Sequence, residues 1–338
     1  MTPDRITVSV IQHRLEAIVQ EMGEAMLRTA YSQILNSSRD FSTAMFDGRG
    51  RLAAQAEHVP IHVGALPWAV QSVAEYFAGR IRPGDLFLLN DPYHGNNHLP
   101  DLTVLLPVFW EGQLVFWSIN RAHQHDIGGA THGTYNPGAT EIWQEGLRVP
   151  PIRLSEAGRL RQDLLDLLAL NVRNPREFRG DLAAMLGAAH LGERRVSKLF
   201  SEFGAPIVEA AIEAILDATE QQTRTVVSTW QDGVFHGEAF LDDDGHGRSD
   251  IRIAAKVTKQ ERHRGRSLGL RSAVHQFRQF LPCQYAGGGG DGFCLSDRRR
   301  NRKKHRCAAA IESDRKAGDH RLGRSRPSGD LVHQPSLQ

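Results

Sequence analysis

Two short stretches, "NDPYHGNNHLPDLTV" (90–104) and "RAHQHDIGG" (121–129), gather four histidines and three aspartates. Imidazole and carboxylate groups ligate divalent cations, and they are also the side chains that move protons near neutral pH. His98 and Asp101 form an H-x-x-D pair whose link is stiffened by Pro100, and His123 lies further on as a third donor. Such a set would leave positions open on an ion for water or substrate. The plainer reading is a polar loop capping two strands, its histidines and aspartates facing water or satisfying backbone groups.

The segments around these residues decide whether they can meet. Three apolar runs, "DLFLLN" (85–90), "DLTVLLPVFW" (101–110) and "QLVFWSINRAH" (113–123), read as strands. Glu111 and Gly112 alone separate the last two, the composition of a tight hairpin. A two-residue turn places Asp101 opposite Ala122, and a three-residue turn places it opposite His123. In either register Asp101 and His123 emerge at the same open end of the ribbon. Directly opposed residues have Cβ atoms about 5 Å apart, which suits two ligands of one ion. Ligation by histidine and carboxylate does not choose among Mn, Fe, Zn and Mg.

The rest of the chain reads as α+β, with strands first, helices after and strands again. Residues 6–31 carry Val10, Ile11, Leu15, Ile18, Val19, Met22, Met26 and Leu27 at helical spacing, which predicts one long N-terminal amphipathic helix. A hairpin is expected over 40–56, turning at Asp47–Gly50, and a second helix around "PWAVQSVAEYFAGR", closed by Gly79. The paired prolines of "EGLRVPPIRL" exclude regular helix there. From 155 to about 230 the pattern is helical, and a last hairpin is expected to turn at Asp243–Gly247.

Of 338 residues, 40% are hydrophobic and 24% charged, a soluble composition with room for a sizeable core. No apolar run approaches the roughly 18 residues of a membrane helix, and the start lacks the pattern of a secretory signal. Three late cysteines, Cys283, Cys294 and Cys307, have neither zinc-finger spacing nor the number of a disulfide framework, so a reducing cytoplasm is the expected compartment. There is no G-x-x-x-x-G-K-[ST] loop for ATP, and Ser118 has no nucleophile-elbow context.

Net charge divides the chain. Residues 261–338 hold 17 Lys/Arg against 7 Asp/Glu, while the preceding 260 hold 24 against 32. The later part lacks sustained periodicity and is rich in Arg, Gly and Ser, a disordered composition.

"NDPYHGNNHLPDLTVLLPVF", "RAHQHDIGG" and "EIWQEGLRVPPIRL" resemble the hallmark stretches of the hydantoinase B/oxoprolinase family. "RDFSTAMFDGRGRLAAQAEHVPIHVGAL" upstream and "NVRNPREFRGDLAAML" downstream resemble it too, in the family's order. The resemblance implies a subunit that works beside a hydantoinase A-like, ATP-binding partner, which activates a carbonyl oxygen by phosphorylation. It implies opening of a small cyclic amide such as a hydantoin or 5-oxoproline. The alternatives are ketone carboxylation of the acetone-carboxylase type, or an inactive remnant that serves as a structural partner. It also implies a divalent metal at the matching positions His98, Asp101 and His123; beside them, His125, Asp126 or Glu145 could serve as acid or base. The missing P-loop then becomes a division of labour.

The similarity runs to about Thr258, so 1–258 is expected to be the hydantoinase B-like domain. Residues 259–338 are expected to be a basic tail of low order. Its Arg- and Gly-rich, aperiodic string is what GC-rich DNA yields in a shifted frame, so a frameshift is the expectation. The rival, an electrostatic nucleic-acid tail, lacks regular aromatic or RGG spacing, and nucleic acid is not an expected partner.

Overall fold

The computed structural model describes residues 3–245 and 247–259. In chain order these form α1 (Arg5–Thr29), α2 (Gln33–Asn36), β1 (Phe41–Asp47), β2 (Leu52–Glu57), α3 (Pro60–Tyr76), β3 (Leu86–Leu89), β4 (Asp101–Trp110) and β5 (Gln113–His123). Then come β6 (Ile152–Glu156), β7 (Arg159–Leu160), α4 (Gln162–Leu170), α5 (Pro175–Phe203), α6 (Ala205–Ser228), β8 (Gly233–Asp243) and β9 (Ser249–Lys259). The α+β expectation holds. Apart from Lys259, the tail with its glycine run and cysteines lies outside the described residues, and so does the question of its reading frame.

Seven strands form one antiparallel sheet in the order β2-β1-β5-β4-β3-β6-β7. Alternation along β4 and β5 sends side chains to opposite faces. Leu102, Val104, Leu106 and Val108 join the core that α1, α5 and α6 cover, with Ile11, Leu15, Met22, Leu182, Phe200 and Ile212. Leu105, Trp117 and Ile119 join a second core under α3, with Leu66, Val70, Val73 and Phe77. Asp101, Arg121 and His123, in phase with the latter set, belong to the α3 face.

Local chemistry explains the helix ends. Asp4 caps α1 by accepting from the Ile6 and Thr7 amides. Where α1 ends, the buried Asp181 carboxylate of α5 accepts from the Tyr31 and Ser32 amides at 2.7 and 3.0 Å, fixing the exit of the chain. On α5, an added Cβ at Gly192 would fall 2.3–2.6 Å from Ser118, Met45 and Met22, so the missing side chain lets helix and sheet approach closely. Gly187, five residues earlier, is the reverse: a Cβ there would meet nothing within 4 Å. Gly187→Ala is therefore expected to stabilise the protein by roughly 0.5–1 kcal/mol, read as a rise in thermal midpoint.

Two expectations shift. The second helix starts at Pro60, not near Pro67, because Pro60 suits the first helical position and Pro67 is tolerated inside. The helical region starts at Gln162 rather than 155, because residues 152–160 extend the sheet edge through β3. Among the described residues no helix is long and apolar enough to cross a membrane.

Candidate metal centre

The open end of the β4–β5 hairpin is where the seven-stranded sheet presents its polar rim. Glu111 and Gly112 form the turn with φ of 48° and 80°, the left-handed pair of a type I′ hairpin. A two-residue turn alone would face Asp101 with Ala122. Trp110 pairs with Gln113 and Phe109 with Leu114, but Val108 pairs with Phe116, so Val115 is an extra residue. That bulge moves the register by one and sets Asp101 directly opposite His123.

The loop before β4 brings His98 to the same place. Asn90 holds it at its base, donating to the Leu99 and Leu147 carbonyls and accepting from the Val149 amide. Asn96 donates to the His98 and Asp101 carbonyls at 2.8 and 2.6 Å, while Thr103 donates to the Asn96 amide oxygen. This web is what closes the H-x-x-D turn.

His98 Nε2 lies 2.9 Å and His123 Nδ1 3.1 Å from the same Asp101 oxygen, Oδ1. Donor atoms of the three residues all fall within 4.8 Å of one another. Donors bonded at about 2.1 Å to one cation sit roughly 3.0–3.4 Å apart in octahedral or tetrahedral arrangement, so these side chains could hold one divalent ion. The Asp101 side chain is 1% exposed, His123 15% and His98 49%, which leaves the open side at His98. The other nitrogen of His123 lies 3.0 Å from the Thr134 hydroxyl, the kind of outer contact that orients a ligating imidazole.

Electrostatics favour an anionic Asp101. Burial alone would raise its pKa, but contacts from His123, His62 and His98 outweigh burial and hold the carboxyl far below its usual range. For His98, burial opposes the charged ring, yet the Asp101 carboxylate, with Asp40 and Glu145, outweighs it and raises the pKa.

Two further groups border the trio and were not singled out in the sequence. His62 Nε2 lies 3.3 Å from Asp101 Oδ2 and 3.5 Å from Asp40 Oδ1, and Asp40 Oδ2 is 4.0 Å from His123 Nδ1. They stand in "HVPIHVGAL" and "RDFSTAMF", where His58 precedes His62 at H-x-x-x-H spacing, a signal that could have marked it, while Asp40 has no such neighbour. Only the start of α3 at Pro60 reveals that His62 faces inward.

The other candidates sit differently. His125 Nδ1 is 2.6 Å from Glu177 Oε1 and its ring meets that of His132 edge-on, centroids 5.6 Å apart. Asp126 is buried and bound by the Arg173 amide and guanidinium, at 2.5 and 2.8 Å, tying the loop to the start of α5. Glu145 ends a short helical turn at 142–144, and its charge acts on His98. The trio is brought together, and Asp126 is turned away to Arg173.

The sequence profile described as hydantoinase B/oxoprolinase matches residues 4–286. The chain belongs to that family. It is 38% identical over 256 residues to the caprolactamase subunit beta of Pseudomonas jessenii, spanning 76% of this chain and 44% of that one. The crystal structure of ATP-dependent caprolactamase from the same organism superposes with a TM-score of 0.73 at 37% identity, covering 76% of this chain and 45% of the other. A 5-oxoprolinase of Dictyostelium discoideum is 33% identical over 224 residues, which are 66% of this chain and 18% of that protein. Nucleotide-free acetone carboxylase superposes with a TM-score of 0.68, covering 76% of this chain and 36% of the other, but at 19% identity it shares the fold alone. The chain thus spans less than half the length of the relatives it matches.

Proposed function

We propose that this hydantoinase B-family chain is the metal-bearing subunit of an ATP-dependent hydrolase that opens a small cyclic amide. The observation that carries the reading is the convergence of His98 and His123 on one oxygen of the buried Asp101. The similarity to a lactam-opening, ATP-dependent enzyme supports the reaction class. A hydantoinase A-like partner would supply ATP and the phosphorylated carbonyl, consistent with the absence of a P-loop from this sequence. In this reading the hydantoinase B-like unit would end near residue 258, short of the 286 to which the family profile extends.

His98, Asp101 and His123 would hold a divalent ion, which when bound polarises a carbonyl or acidifies water. Glu145, whose charge acts on His98, and His125, hydrogen-bonded to Glu177, would be the groups to give and take protons. Asp126, with both oxygens on Arg173, shapes the loop that carries His125.

The test is to purify the chain with an A-type partner, measure its metal by mass spectrometry, and assay ATP-dependent opening of lactams, hydantoins and 5-oxoproline. One ion per chain and ATP-linked ring opening are expected, both lost in His98→Ala and His123→Ala. Metal-free wild type would sink the site, and ketone carboxylation without ring opening would reassign the reaction.

pH dependence follows from the raised His98 pKa. A proton and a cation compete for one ring nitrogen, so affinity for metal is expected to keep rising with pH above about 6.5, the ordinary imidazole value. In the metal-free chain His98 stabilises the fold below about 6.5 and that contribution fades as pH rises through its raised value. The depressed Asp101 adds stability above about 3.9, lost as pH falls through its native value. Calorimetric titrations stepped across neutral pH read the first effect, and an affinity that is flat above about 6.5 would contradict it.

A further inference from the structure

Arg121 on β5 has a side chain fully enclosed by protein, at 0% exposure. Burial pushes its pKa down to about 10, so it remains charged at neutral pH. Among the described residues it makes no ion pair. Its N–H groups go to neutral oxygens instead: Thr103 Oγ1 at 2.7 Å, and the His62 carbonyl, Asn97 Oδ1 and the Gly95 carbonyl each at 3.0 Å. Enclosing a cation without a counter-ion in contact is costly, and an apolar side chain of similar length would fill the space. Folds keep such local conflicts where a site needs them.

What the cation holds shows the need. Two of its acceptors belong to residues that address the outer oxygen of Asp101. Asn97 Nδ2 donates to Asp101 Oδ2 at 3.3 Å, and His62 Nε2 lies 3.3 Å from that same oxygen. Arginine is a donor only, so its hydrogen bond to Asn97 Oδ1 decides which way that amide points: oxygen to Arg121, nitrogen to Asp101. Its bond to the His62 carbonyl fixes the first turn of α3, from which the imidazole reaches Oδ2. A third bond, to the Gly95 carbonyl, anchors the loop that leads to His98. Oδ2 is thereby engaged from both sides, and Oδ1 alone is left to the two imidazoles.

We propose that Arg121 is a positioning residue that, through Asn97 and His62, makes Asp101 a one-oxygen ligand and so sets the geometry of the metal centre. The proposal rests on the metal reading above and deepens it. Outer contacts of this kind are worth about 10- to 100-fold in metal affinity.

The experiment loads the full metal-free chain with Co²⁺, following affinity by calorimetry and coordination by the visible d–d spectrum. Wild type is expected to bind. Arg121→Lys, which keeps the charge but has three donors on a single nitrogen where the guanidinium reaches four acceptors from three nitrogens, and Asn97→Leu, which deletes one donor, are each expected to bind about 10-fold or more weakly with an altered d–d band. Melting curves and circular dichroism report whether each variant is folded. If Arg121→Lys does not fold, the half-buried loop residue Asn97 decides alone. Folded variants with wild-type affinity and an unchanged spectrum would overturn the positioning role while leaving the metal centre intact. Wild type that binds no Co²⁺ would remove the metal centre itself, and with it anything for Arg121 to position.

Discussion

Asp101→Asn is expected to weaken divalent-metal binding by at least about 100-fold, near 2.7 kcal/mol, and to abolish turnover with an A-type partner. The substitution keeps the shape and removes only the charge. Among the described residues Asp101 is the carboxylate that His98 and His123 both meet at hydrogen-bond distance, and it is buried where no solvent could replace it. An amide in its place would turn an N–H towards one of the groups it should gather, since it has one acceptor oxygen rather than two. A second readout is independent of activity. The raised pKa of His98 depends on the Asp101 carboxylate, so in Asp101→Asn its ring is expected to titrate at lower pH by NMR. Wild-type metal content in the variant would refute the assignment.

Gly95→Ala is expected to destabilise the protein by about 2–5 kcal/mol and to remove metal binding with it. Gly95 has φ of 92°, where an L side chain costs roughly 1–2 kcal/mol. A Cβ at that position would also fall 2.4 Å from the Ala69 nitrogen and the Trp68 carbonyl carbon. These are backbone atoms of α3 and cannot swing aside, and overpacking of this kind adds about 1–3 kcal/mol. The loop would have to lift, carrying the Gly95 carbonyl from Arg121 and His98 from Asp101. Calorimetric melting and metal titration on the same samples check both halves; an unchanged melt would show that the loop tolerates displacement.

Much of this was legible before any coordinates, and the limits have physical causes. The H-x-x-D pair and His123 could be read because they flank two strands joined by a visible turn. The helices α1, α5 and α6 carried strong periodicity, since each buries a long stripe against the sheet. Register between β4 and β5 was left between two values, because a bulge at Val115 has no signature among Val, Phe and Trp, all good strand formers. His62 was hidden by Pro67, which made the first turns of α3 look like loop. Arg121 gave no signal at all. An arginine in an alternating strand reads as an outward residue, and only the tertiary fold shows that the side it faces is roofed by α3 and the 95–97 loop. The carboxylates of Asp126 and Asp101 look equivalent by type, yet one is claimed by Arg173 and the other by imidazoles.

The Val115 bulge works as a vernier for the whole centre. It lies near the hairpin tip, about 25 Å from Asp101 at roughly 3.4 Å per residue, with no functional group of its own. Adding one residue beside it would slide one strand by a single notch and bring the Ala122 methyl opposite the carboxylate, where an imidazole now sits, whereas excising Val115 itself would leave Asp101 paired with His123. In this fold, then, the count of residues at a remote apolar tip is tied to which side chain faces Asp101, and an insertion in that greasy segment weighs as heavily as the exchange of a proposed ligand.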